Sequence, residues 1–209
     1  MSKLAYQYRL KLNRTQEKIL TKLLSIACRL YNDALDERKS AWEKEKRTVT
    51  YLDQAKKLKD LRKTDKELIL LNYCAAQHVL RRLDRAFQRF FEAVKSDQKV
   101  SYPRFKKPHR FCTLQFTYAD GAKLKPDDSR RLRLYIQKVD MIKVVWHCPL
   151  PEQSVTKQVW ISRKADGWFV SFALEACDET LCNLCHQQEG LLASMLELRT
   201  CWHFPAASL

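Results

Sequence analysis

YPRFKKPHRF, residues 102–111, divides the chain into two textures. Its ten positions hold five basic residues (counting His109), three aromatics and two prolines. Pro103 and Pro108 lack amide donors and push their predecessors out of the helical region, so no helix runs through the segment. What lies before it repeats at helical spacing. What lies after it alternates at the spacing of strands.

Upstream, Leu20, Leu23, Ala27, Leu30 and Ala34 recur at three and four residues, with Asn13 and Thr15 as caps, and predict a helix to about Glu45. A second amphipathic stretch runs from about Tyr51 to Arg62, after the turn Arg47-Thr48-Val49-Thr50. In a third, Leu80, Leu83, Phe87, Phe90 and Val94 form an apolar stripe, and Arg82, Arg85 and Arg89 fall on the opposite side with Arg81 beside them. Downstream, Thr113–Tyr118, Arg131–Ile136, Ile142–Trp146, Val155–Ile161 and Trp168–Leu174 read as short strands, the last two joined by a turn at Asp166-Gly167. Leu4–Leu10 alternates in the same way and is expected to join that sheet. The fold class is therefore α+β, with helices inserted into a small barrel or sandwich of short strands.

The net charge of +15 is placed unevenly. Residues 1–111 hold 28 Lys and Arg against 13 Asp and Glu, a balance of +15; residues 112–175 hold 10 against 7, or +3; residues 176–209 hold 1 against 4, or −3. Such a field draws polyanions by releasing their counterions, so nucleic acid is the first partner to consider and an anionic membrane surface the second. The arginine face of the third helix is the place for phosphate contact. No apolar run reaches the length of a membrane span and the N-terminus lacks a signal-peptide core, so a cytoplasmic location is expected, with the eight cysteines mostly reduced. With three glycines, the chain has no Gly-rich phosphate loop or dinucleotide fingerprint.

Five ordered stretches, YRLKLNRTQEKIL (8–20), CRLYNDALDERKSAW (28–42), LRRLDRAFQRFF (80–91), YPRFKK (102–107) and ADGWFVSF (165–172), resemble the N-terminal half of the OrfB/TnpB proteins of insertion sequences, relatives of the type V CRISPR effectors. The resemblance spans roughly residues 1–175. It implies a split, small, wedge-like antiparallel β-barrel (1–12 and 101–175) interrupted by a helical recognition domain (13–100). It implies as partners a guide RNA and duplex DNA bearing a short target-adjacent motif, with base pairing supplying most of the sequence specificity. Tyr51, Gln77 and Thr117 match positions that approach the target-adjacent duplex in the family. Tyr73 and Cys74 stand where a lysine and an aromatic often precede that glutamine, which points to a different preferred motif. Residues 102–111 become a proline-stiffened joint, with Arg104, Lys106, Lys107 and Arg110 available to phosphates and Phe105 or Phe111 to packing.

After about residue 175 the family pattern breaks. The family continues into a RuvC-like nuclease domain that uses divalent metal held by three carboxylates, with zinc in a ribbon inside it. The stretch CDETLCNLCHQQEGLLASMLELRTCWHFPAASL (177–209) holds four cysteines, one basic residue and no strand pattern. Read one base out of register with suitable wobble choices, residues 191–204 permit Ala-Gly-Ile-Asp-Val-Gly-Val-Lys-Asn-Leu-Leu-Ala-Leu-Ser, which resembles the first nuclease motif. A frameshift near Cys177–Cys182 is the expectation. It leaves no catalytic residue, no metal ligand and no cofactor in the chain, and a binding protein unable to cut. The alternatives are a stand-alone DNA- or RNA-binding repressor, and a nuclease completed by a separately encoded RuvC-like chain. Asp127-Asp128 reads as a turn device, and Cys182-x2-Cys185 with Cys201-x-His203 as a poorly spaced zinc set.

Overall fold

The computed structural model describes residues 2–96, 98–99, 101–126, 131–151 and 154–176. The frameshift reading, the zinc set and Asp127-Asp128 all lie outside them.

Strand β1 (Ser2–Lys11) leads into helix α1 (Arg14–Glu45), and helices α2 (Tyr51–Thr64) and α3 (Tyr73–Lys95) follow. Strands β2 (Thr113–Tyr118), β3 (Gly121–Pro126), β4 (Leu132–Ile136), β5 (Asp140–Val145), β6 (Val155–Lys164) and β7 (Gly167–Ala176) then complete a closed barrel in the order β1-β5-β4-β3-β2-β6-β7. The class is α+β, as expected. The barrel is mixed rather than purely antiparallel, because β2 and β3 pair in parallel over Thr117–Gly121 and Tyr118–Ala122. That pairing follows from β3 itself, which the sequence reading missed. GAKLKP opens on glycine, closes on proline and offers only Ala122 and Leu124 to the interior, too few apolar positions to stand out.

Each helix starts on a side-chain cap that satisfies otherwise orphaned amides. Asn13 and Gln16 form a reciprocal box on α1, with Gln16 N–H donating to Asn13 Oδ1 at 2.7 Å and Asn13 N–H to Gln16 Oε1 at 3.1 Å. Thr50 and Asp53 repeat this on α2, and Asn72 Oδ1 accepts from Ala75 N–H on α3. α1 ends on Lys46 in the left-handed region, φ 54°.

Inside the barrel, alternate residues of the strands meet: Tyr8, Leu114, Phe116, Leu134, Ile142 and Phe172 are all 1% exposed or less. Tyr8 O–H donates to the Cys148 carbonyl at 3.1 Å, and burial pushes its phenol far above the ordinary range. Leu24 and Leu35 of α1, Leu58 of α2 and Leu80 and Leu83 of α3 continue the same buried cluster. The α3 stripe departs from expectation at its end, where Ala93 is buried and Val94 is 57% exposed. Among the described residues no helix is long and apolar enough to cross a membrane.

Three contacts set the helices against the C-terminal half of the described residues. Asn72 Nδ2 donates to Gln137 Oε1 at 2.8 Å, and its side chain rests on Gly121, where an added Cβ would stand 2.8 Å from Asn72 Cγ. Gly121 has φ +92°, so this position favours glycine twice over. His78 reaches Thr117 on β2, and Tyr31 of α1 meets Phe111 with ring centroids 6.0 Å apart.

Candidate nucleic-acid interface

Between α3 and the β2–β6 face runs a cleft of about 440 Å³. The α3 periodicity brings Arg82, Arg85 and Arg89 to its rim, and Lys106 stands with them. Thr113, Gln115 and Trp160 line the barrel side. They are there because β2 alternates: Leu114 and Phe116 point into the barrel, so Thr113, Gln115 and Thr117 point out. Among the described residues none of the three arginines lies within ion-pair distance of a carboxylate. Asp84, the acid nearest Arg82 and Arg85 in sequence, is held at 3.1 Å by Arg38. Arg82 is braced with its guanidinium 4.7 Å from the Phe111 ring centroid. Gln115 Nε2–H donates to Gln158 Oε1 at 2.8 Å, and its own side-chain oxygen has no protein donor among the described residues.

Beside the cleft, on the first turns of α3, a second group assembles. Arg81 Nε–H donates to Tyr51 O–H at 3.1 Å, with the guanidinium 5.5 Å from the ring centroid. Gln77, one turn earlier, is half-buried and its amide has no protein partner among the described residues. Thr117 Oγ1 lies 3.1 Å from His78 Nε2 and 3.0 Å from Cys74 Sγ, so its hydroxyl is already engaged. Burial, aided by the charges of Arg81 and Arg85, lowers the His78 pKa to about 4; the imidazole is neutral at pH 7. Its Nδ1 is buried without a partner among the described residues.

The expected residues thus gather in two adjoining sets: Arg82, Arg85, Arg89 and Lys106 at the cleft, and Tyr51, Gln77, Arg81 and Thr117 around the start of α3. Arg104, Lys107 and Arg110 are exposed and do not line the cleft. The 102–111 segment is fixed by a residue that sequence reasoning missed. Asn32 of α1 accepts from Lys106 N–H at 2.8 Å and donates to the Lys106 carbonyl at 2.9 Å, forming a two-point clamp on the backbone. Phe111 packs in the core as expected, whereas Phe105 is 51% exposed and Tyr102 41%, so the aromatics of the segment do not all serve packing. Gln115 and Trp160 were also missed; the polar side of the β2 alternation carried the signal for Gln115.

Among the described residues no three His, Cys, Asp or Glu side chains converge as a metal site. The described residues therefore do not fit the divalent-metal or zinc centres of the family's nuclease domain.

Residues 1–47 match the HTH_OrfB_IS605 helix-turn-helix domain. In the structure that span is β1 followed by the single 32-residue helix α1. A Streptomyces pristinaespiralis protein named "Putative RNA-guided DNA endonuclease" is 29% identical over 190 residues, covering 86% of this chain. The chain spans 42% of the length of that relative.

Proposed function

We propose that this chain, a member of the OrfB/TnpB family of insertion-sequence proteins, is a transposition-associated nucleic-acid-binding protein that holds the phosphate backbones of a guide RNA and of duplex DNA in the α3–β2 cleft. The single observation that carries the reading is the set of exposed α3 arginines that have no carboxylate partner among the described residues and line one cleft with the polar face of β2. Arg82, Arg85, Arg89 and Lys106 contact phosphates. Arg104, Lys107 and Arg110 extend the cationic track along the joint. Tyr51, Gln77 and Thr117 lie against a short target-adjacent motif. Gln77, with a free amide, reads a base edge; Thr117, engaged by His78, serves by shape and position. In this division of labour residues 13–100 recognise, and residues 1–12 with 101–175 brace them.

The described residues bind and do not cut, since phosphodiester cleavage of the family's kind needs converging carboxylates. A guide RNA and a DNA target are carried over from what the Streptomyces relative is named for.

Equilibrium binding to a 30-base-pair duplex across salt concentrations tests the interface. The wild-type chain should bind with a steep negative dependence of log affinity on log salt. Arg85→Ala with Arg89→Ala should flatten that slope by roughly two contacts and weaken binding to all sequences alike. An unchanged slope would remove α3 from the interface. Adding magnesium should leave the duplex intact; nicking by the purified chain would contradict the assignment of binding alone.

A further inference from the structure

On another part of the helical layer, α1, α3 and the start of the 102–111 segment carry exposed aromatics. Trp42 is 55% exposed, Phe91 52% and Tyr102 41%, and with Phe87, Phe90 and Arg38 they line a pocket of about 480 Å³. That size lies within the ~300–1,000 Å³ of sites that bury small ligands. Tyr102 stands edge-on to Phe87 and Phe90, with both ring centroids 5.4 Å away. Phe91 lies 6.1 Å from Phe87, with 30° between their planes. The walls are therefore flat rings already fixed by one another.

Arg38 gives this apolar pocket a polar handle. It is 7% exposed; its Nε–H donates to Gln54 Oε1 at 2.9 Å and one terminal nitrogen donates to Asp84 Oδ1 at 3.1 Å. The other terminal nitrogen is buried with no acceptor among the described residues, and the guanidinium lies 5.0 Å from the Phe87 ring centroid. Two cations stand with these rings: Arg47 lines the pocket in an exposed pair with Glu45 at 2.9 Å, and Lys46, over Trp42 at 5.8 Å, has no carboxylate partner among the described residues. The matching occupant is flat and tethered to negative charge.

We infer that the Arg38–Trp42–Phe91–Tyr102 pocket holds an unpaired nucleobase of single-stranded nucleic acid, stacked on the aromatic rings while Lys46 and Arg47 meet its phosphates. Base-on-ring stacking with flanking cations is how proteins hold single strands without reading their sequence. The inference rests on the nucleic-acid reading of the preceding subsection but concerns a different ligand state, since duplex DNA keeps its bases stacked and out of reach.

The test uses the full chain and three fluorescent ligands: a 12-nucleotide oligouridine, the same backbone with abasic sites throughout, and a duplex of equal length. Trp42→Ala with Phe91→Ala removes two exposed rings, and circular dichroism should show the fold unchanged. This variant should bind oligouridine at least about five-fold more weakly than wild type, with abasic-strand and duplex affinities unmoved. Trp42→Phe with Phe91→Tyr should recover most of the loss. An equal loss on the abasic strand, or none on oligouridine, would overturn the pocket. So would a wild-type protein that self-associates through these rings, detected as a fall in sedimentation coefficient in the double variant with RNA affinity intact. If wild type binds none of the three ligands, the phosphate interface fails; if it binds all three and the double variant matches it on each, only the pocket fails.

Discussion

His78 is the residue whose surroundings have the clearest solution consequence. It is 4% exposed, bonded to Thr117 and set near Arg81 and Arg85, and its pKa falls to about 4. An unfolded histidine titrates near 6.5, so between pH 6.5 and 4 the unfolded chain takes up the proton and the folded one does not. Stability contributed by neutral His78 is therefore complete above about pH 6.5 and is lost as pH falls toward 4. The loss is on the order of 3 kcal/mol. Thermal melts at pH 7 and pH 5 should show a drop in Tm that His78→Gln largely abolishes. Gly121 gives a second expectation: with φ +92° and Asn72 where its Cβ would sit, Gly121→Ala should cost at least about 1–2 kcal/mol, measured by urea unfolding. Asn72→Ala should cost a comparable amount, by removing both the α3 cap and the bond to Gln137.

At the scale of elements, the helices were legible because their apolar residues repeat over many turns and their caps are spelled in the sequence. Asn13, Thr50 and Asn72 are all residues that prefer that position. β3 was not legible, because a strand with two inward residues and two lysines looks like a loop until Ile136 and Leu134 pair with it. Val94 was misplaced for a related reason. Helical periodicity fixes a direction on the helix but not where the barrel wall ends, and one turn later that direction opens to solvent. The candidate site divides in the same way. The arginine face of α3 follows from periodicity alone. Asn32, which clamps a backbone 74 residues away, and Trp160, which comes from a strand on the far side of the sequence, follow only from tertiary contact. Leu83, fully buried on α3 between the arginines, should report on the element as a whole; Leu83→Ala is expected to cost about 2–5 kcal/mol by chemical denaturation, and to weaken duplex binding only through loss of folded protein.

For the whole molecule, the buried cluster runs without a break from Leu20 in α1 through Phe111 to Phe172 in β7. Helical layer and barrel should therefore unfold together, as one calorimetric transition whose van't Hoff and calorimetric enthalpies agree. Two transitions would show that the α3–β2 contacts through Asn72 and His78 are too weak to couple them. The barrel also fixes an order of events during synthesis. β1 pairs only with β5 and β7, and the Gln7–Ser171 bond joins positions 164 apart in the chain. On a ribosome the first strand leaves the exit tunnel long before either neighbour exists, while α1, α2 and α3 can form as soon as they emerge. Until β5 is made, β1 offers two unpaired edges, and until β7 is made one, carrying Tyr6, Tyr8 and Leu10 and open to another nascent chain or to a chaperone. Closure must await this longest-range pairing, which makes the N-terminal strand the slowest part of the protein to reach its place and the part most exposed to aggregation on the way.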